Sequence, residues 1–120
     1  MGVGIHGEPG RRRVKMMGAD AIAEEIVGAI VEDFGPAASG NCLLLLNGFG
    51  GTPAMELYLM FNAAKRLLEK HGLAVKRSLV GNYVTSLDMA GCSITVTMLD
   101  DEITQGWDAP VHTAALRWGM

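Results

Sequence analysis

The residues best equipped for chemistry stand in one stretch, Gly2-Val3-Gly4-Ile5-His6-Gly7-Glu8-Pro9-Gly10. A single histidine sits among four glycines, next to an acid and a proline. Imidazole is the side chain most able to serve as nucleophile or base near neutral pH. Glycine allows positive φ and lets another group approach the backbone closely. Pro9 fixes its own φ and pushes Glu8 toward an extended conformation. The pattern predicts a stiff, narrow loop that holds His6 in the open, with Gly4, Gly7 and Glu8 around whatever approaches the ring. A plain glycine-rich turn with a surface histidine would have the same composition.

The glycine spacing at 2–7 also satisfies a dinucleotide-binding fingerprint, but its context does not. That motif needs a strand before it and a helix opening from it. Here Pro9, Gly10 and three arginines, Arg11 to Arg13, stand where the helix should start.

A second constellation is Asn47-Gly48-Phe49-Gly50-Gly51-Thr52-Pro53. A strand, a glycine loop and a helix N-terminus together make an anion site. Gly48, Gly50, Gly51 and Thr52 are therefore a candidate phosphate or carboxylate site. The simpler reading, a tight strand-to-helix turn, is favoured because the lysine of a phosphate-binding loop is missing. No CxxC or HExxH motif is present, and Asp101 and Glu102 lack the rest of a calcium loop, so no metal site is expected.

The elements that must carry these stretches fit one domain. The chain has 120 residues, 49% of them hydrophobic, enough for one core. A net charge of -3 argues against nucleic acid as partner, and the basic run Arg11-Arg12-Arg13 with Lys15 is read as a solvated turn or a partner contact. No apolar run approaches a membrane span, and no signal-peptide pattern opens the chain. Cys42 and Cys92 lie in apolar runs and read as small buried residues of a reduced, cytoplasmic protein.

Residues 2–6 are expected to end a strand, with an extended return at about 12–16. A first helix should follow, capped by Asp20, with Ile22, Ile26, Ile30 and Phe34 on its apolar side and Gly35-Pro36 as its stop. Cys42 to Leu46 reads as a strand buried on both faces. Thr52 as N-cap and Pro53 as first helical residue predict a second helix running to about His71 and stopped by Gly72. Its first half is apolar almost all round, which predicts a sandwiched helix or a subunit contact. Leu73–Val80 and the alternating run from Cys92 to Met98 read as strands. Between them lies a loop or short helix, with Ser86 or Asp88 as caps. Asp100 to Glu102 should start a short helix, and the tail from Trp107 should be extended and anchored by its two tryptophans. The order predicts an α+β two-layer sandwich, a mixed sheet of about four to six strands with two main helices.

At this point four blocks carry a resemblance. They are residues 2–10, residues 47–58, Tyr83-Val84-Thr85-Ser86-Leu87-Asp88-Met89-Ala90-Gly91, and Trp107-Asp108-Ala109-Pro110-Val111-His112-Thr113. Together they resemble dihydroxyacetone (glycerone) kinase, over essentially the whole chain, and specifically the C-terminal domain of its substrate-binding K subunit. Leu116-Arg117-Trp118-Gly119 resembles the natural end of the bacterial subunit. The resemblance implies that His6 attacks the ketone of dihydroxyacetone, or of a related short ketose, through Nε2 and forms a hemiaminal. It implies no cofactor in this chain, with ATP or ADP and magnesium carried by a partner L subunit and, in phosphotransferase-linked versions, a third protein recharging the ADP. The K subunit's aspartate acid/base and second histidine would lie in an N-terminal domain absent from this chain, so the chain alone should be inactive. A homodimer is implied as well. Ala114, where a proline is expected, and Thr97-Met98, where a lysine is expected, put partner contacts in doubt more than capture. The alternatives are a K-like module that binds the ketone and signals without phosphorylation, or an orphan fragment.

Overall fold

The computed structural model describes residues 1–3 and 9–120. Helix α1 spans Ala19–Phe34 and ends in a 3₁₀ turn, Gly35–Ala37. Strand β1 (Gly40–Gly50), helix α2 (Ala54–Lys70), strands β2 (Leu73–Gly81) and β3 (Ala90–Met98) and helix α3 (Asp101–Asp108) follow, with two short strands, β4 (Val111–His112) and β5 (Arg117–Trp118). The main sheet has the order β2-β1-β3, β1 running parallel to β2 and antiparallel to β3. β4 and β5 form a separate antiparallel ribbon. The architecture is the expected α+β one, with a mixed sheet, its strands divided between sheet and ribbon.

β1 is central because it is the most apolar segment, despite leucine's preference for helices. Cys42, Leu44 and Leu46 are fully buried and face the helices. One cluster joins Val27, Cys42, Leu44, Ala64, Leu68 and Leu73; its neighbour joins Ala23, Leu46, Leu57, Met60 and Ala63. Phe61, Leu67 and Ile94 pack against both. β1 runs further than its apolar run suggested, through Asn47 to Gly50, because β3 keeps pairing with it as far as Ala90.

Helix α1 departs from its expected cap. Gly18 is the N-cap and offers no side-chain bond, while the Asp20 carboxylate bonds Arg66 at 2.9 Å. Its fully buried residues are Ala23 and Val27, the small ones, because α1 lies close against α2. Ile22, Ile26, Ile30 and Phe34 are only half-buried. In α2 the N-cap is Pro53, one residue later than expected, and Thr52 is diverted to another task described below. The expected stop holds, with His71 as C-cap and Gly72 at φ 89°. The first half of α2 buries Leu57 and Met60 but leaves Met55, Tyr58 and Leu59 at 81%, 59% and 57% exposure, an apolar side open to a partner.

A register shift between Cys42 and Leu43 inserts one residue into β2. Val75 then packs in the core and Val80 does so again, whereas Arg77 and Leu79 pair with Leu43 and Leu45. The bulge reverses facing downstream of it, so Val75 and Leu79, four residues apart, do not share a face as they would in a regular strand. Arg77 reaches Asp108 in a two-pronged ion pair, both bonds at 2.6 Å. Asp100 caps α3 as expected, accepting from the Ile103 N–H at 2.7 Å. The tail is less irregular than expected. Trp107 and Asp108 close α3, Trp107 and Trp118 stack with centroids 5.1 Å apart, and Trp118 Nε1 donates to the Ala109 carbonyl.

Candidate functional site

The two flanks of the glycine–histidine stretch are bonded to each other. The Arg11 N–H donates to the Met1 carbonyl at 2.8 Å, and the Met1 amine donates to the Arg12 carbonyl at 2.8 Å. Residues 1 and 11–12 therefore run side by side without forming a regular strand. Gly10 is required here, since a Cβ would stand 2.6 Å from the Met1 carbonyl oxygen. Arg12 then ties these flanks to α1. Its Nε and Nη2 donate to the two Glu25 carboxylate oxygens at 2.8 and 2.6 Å. The hydrogen bond from Arg12 holds the Glu25 carboxyl below the usual carboxylate range, and the same bond raises the Arg12 guanidinium. Arg12, read from the sequence as part of a solvated turn or a partner contact, has its partner within the chain, on α1. His6, Gly4, Gly7 and Glu8 lie outside the described residues, as do residues 4–6 of the expected opening strand.

The second constellation is built around Asn47, a polar residue only 5% exposed at the end of the β1 apolar run. Its Oδ1 accepts from the Tyr83 and Val84 N–H groups at 2.8 and 2.9 Å, and its Nδ2 donates to the Val84 carbonyl at 2.7 Å. One side chain thereby fixes the start of the 82–89 loop. No helix forms in that loop, so neither Ser86 nor Asp88 caps one.

Two loops lock together beside it. The Gly50 N–H donates to Thr85 Oγ1 at 2.7 Å, and the Gly51 N–H donates to the Met89 carbonyl at 2.9 Å. The Thr52 hydroxyl accepts from the Gly91 N–H at 2.7 Å, bridging β1 to β3 rather than capping α2. The Thr52 N–H goes to the Phe49 carbonyl. The amides of Gly50, Gly51 and Thr52, offered above as anion donors, all have protein acceptors in this conformation. Gly48 lies under the Asn82 side chain and Leu57, with no room for a Cβ. Gly50 combines φ 52° with the Met89 carbonyl where a Cβ would go. Sterically these glycines are a tight turn.

One hydroxyl is left over: Ser86 Oγ is buried without a hydrogen-bond partner. Burial pushes the Cys92 thiol up, and the Cys42 thiol likewise. Among the described residues no three His, Cys, Asp or Glu side chains group to hold a metal, and no helix is long and apolar enough to cross a membrane. Sequence reasoning missed Asn47 as a hub. Its one available signal is position, a lone amide closing a buried apolar run.

The fold is a small α+β one, and comparison with known proteins gives the family. The Dak1 domain matches residues 1–115, and the chain belongs to that family. It is 40% identical over 113 residues to the dihydroxyacetone-binding subunit DhaK of a PTS-dependent dihydroxyacetone kinase from Listeria innocua, covering 94% of this chain and 34% of that subunit. It is 41% identical to a D-erythrulose kinase from Mycolicibacterium smegmatis, over 99% of this chain and 20% of that enzyme. Among solved structures, a dihydroxyacetone kinase operon co-activator, DhaQ, superposes with a TM-score of 0.80 at 41% identity, over 91% of this chain and 34% of the other. The chain thus spans about a third or less of the length of these relatives.

Proposed function

We propose that this chain is the substrate-anchoring part of a dihydroxyacetone kinase, corresponding to the C-terminal portion of its K subunit. The observation that carries the reading is the Dak1 match over residues 1–115, to relatives named for binding dihydroxyacetone. The bonds that join Met1 to Arg11 and Arg12 support it, because they bring together the two ends of the stretch that carries His6.

The chemistry is addition to a carbonyl. The lone pair of neutral His6 Nε2 attacks the ketone carbon, and the C=O π pair moves to oxygen. That oxygen takes up a proton as the other ring nitrogen gives one up, leaving a hemiaminal. A polyol offers no electrophilic carbon, so capture selects short ketoses by reactivity as well as by shape. A fixed substrate hydroxyl is then presented for phosphoryl transfer, where positioning supplies much of the catalysis. Gly4 and Gly7 give the ketose room, and Glu8 orients the ring. The phosphoryl donor, ATP or ADP with magnesium, belongs to a partner L subunit, and the open side of α2 at Met55, Tyr58 and Leu59 is the proposed contact of a cytoplasmic homodimer. The glycine turn at 48–52 binds an anion only if its amides exchange their present acceptors.

A second reading is favoured by the likeness to the DhaQ co-activator: a ketone-binding module that signals without phosphorylation. Phosphate turnover separates the two. With an L subunit and the rest of a K subunit supplied, the kinase reading predicts dihydroxyacetone phosphate. Capture without product would leave the binding module.

A further inference from the structure

Residues 100–120 tie themselves together. Asp100 opens α3 by accepting from the Ile103 N–H at 2.7 Å, and the Thr104 hydroxyl donates to the Asp100 carbonyl at 2.6 Å. Trp107, near the end of α3, stacks on Trp118 of β5 with centroids 5.1 Å apart. Trp118 Nε1 donates to the Ala109 carbonyl at 2.9 Å, just after the helix. Thr113 closes the turn between β4 and β5: its N–H donates to the Leu116 carbonyl at 2.9 Å, and its hydroxyl accepts from the Leu116 N–H at 3.0 Å. Helix, ribbon and tail are thus joined to one another by bonds that do not involve the main sheet.

Their attachment to the body is slight by comparison. The chain leaves the sheet at Leu99, whose N–H donates to the Asn41 carbonyl at 2.8 Å. Beyond that point, among the described residues, two hydrogen bonds link this segment to the rest, the pair of 2.6 Å that Asp108 accepts from Arg77 on β2. No residue from 100 to 120 is buried, and neither α3 nor the ribbon packs closely on the strands and helices of the body. A cleft of about 420 Å³ separates the two parts, with Ser78 and Leu79 of β2 on one side and Trp107, Trp118 and Gly119 on the other. A unit that buries so little apolar surface against its neighbour opens at low free energy.

We propose that residues 100–120 are a strap that swings as one piece about Leu99–Asp100, latched over Ser78 and Leu79 by the Arg77–Asp108 ion pair and released when that pair is broken or screened. The two-pronged geometry suits a latch, since it fixes the approach of α3 to β2 in direction as well as distance. An exposed ion pair contributes little to a whole fold, but it weighs heavily on an equilibrium in which little else favours the closed form. The bonds inside the strap do not depend on the latch, so the strap keeps its shape when open. Opening bares the tryptophan side of the cleft. The inference is independent of His6 and of the kinase reading.

The test uses the chain's two tryptophans, both on the strap and both lining the cleft. Acrylamide quenching of their fluorescence reads opening, and the circular-dichroism couplet of the stacked pair reads the strap's internal fold. Arg77→Gln should raise the open fraction roughly fivefold, the upper end for an exposed pair, and move the quenching constant toward that of free N-acetyltryptophanamide. The couplet should persist. Lys65→Gln, which breaks the exposed pair with Glu69 on α2, should change neither reading. Unchanged quenching in Arg77→Gln overturns the proposal, as does an equal rise in Lys65→Gln. Loss of the couplet together with the rise in quenching also overturns it, because the segment then melts instead of swinging. Should Arg77→Gln fail to fold, the same two readings on the native chain decide, taken between about 0.01 and 1 M sodium chloride, where the screening length falls from about 30 to 3 Å. Quenching that rises with salt while the couplet holds supports the strap; flat quenching or a lost couplet overturns it.

Discussion

Arg12 grips Glu25 through two parallel hydrogen bonds, 2.8 and 2.6 Å long, and so fastens the base of the glycine–histidine loop to the first helix. Bidentate pairing fixes direction as well as distance. Glu25→Gln should leave the melting temperature nearly unchanged, since exposed pairs contribute little. It should, however, speed exchange of the Arg11 amide, whose bond to Met1 lies in the tethered base.

The same pair predicts a direction with pH. The Glu25 carboxyl is held down by its bond from Arg12. A group depressed in the folded state contributes above its unfolded pKa and loses that contribution as pH falls through the folded value. The tether should thus be intact at neutral pH and released in acid, below the ordinary carboxylate range. Arg11 amide exchange, corrected for intrinsic rate, should rise on acidification in the native chain and be flat in Glu25→Gln.

Asn47→Ala removes three hydrogen bonds at once and leaves the Tyr83 and Val84 backbone groups without their partner. Unsatisfied buried polar groups cost about 1–3 kcal/mol each, so a loss of about 2–4 kcal/mol is expected by urea denaturation. Asn47→Asp keeps the acceptor for both N–H groups and should lose less.

Gly50 and Gly51 are adjacent and should respond differently to alanine. Gly50 has positive φ and the Met89 carbonyl blocking its Cβ position. Gly50→Ala should cost about 1–3 kcal/mol. A Cβ on Gly51 meets only ordinary contact, 3.9 Å from the same carbonyl oxygen, so Gly51→Ala should be close to neutral.

Much of this was legible in the sequence, because it follows from local rules. The apolar run at Cys42–Leu46 marked the central strand, Gly72 the end of α2, and Asp100 the start of α3. What escaped depends on distant partners. Thr52 suits an N-cap by type, yet its hydroxyl serves Gly91, on β3. Asp20 suits a cap, yet it faces Arg66, and the bulge that turns Leu79 away from Val75 is set by pairing with β1. Likewise the roles of Asn47 and Arg12 appear only once loops separated in sequence are brought together. The family resemblance was carried by the four motif blocks, and the Dak1 match bears it out. The role of His6 remains the claim to be measured.

That measurement is carbon NMR of dihydroxyacetone labelled at its carbonyl, added to the native chain joined to the rest of a K subunit and to the same protein carrying His6→Ala. The account predicts that the ketone signal gives way to a tetrahedral carbon bonded to imidazole nitrogen in the native protein, and that it stays a ketone in the variant, with the two melting alike. A label that stays a ketone in both, or a tetrahedral adduct that survives in His6→Ala, would contradict it.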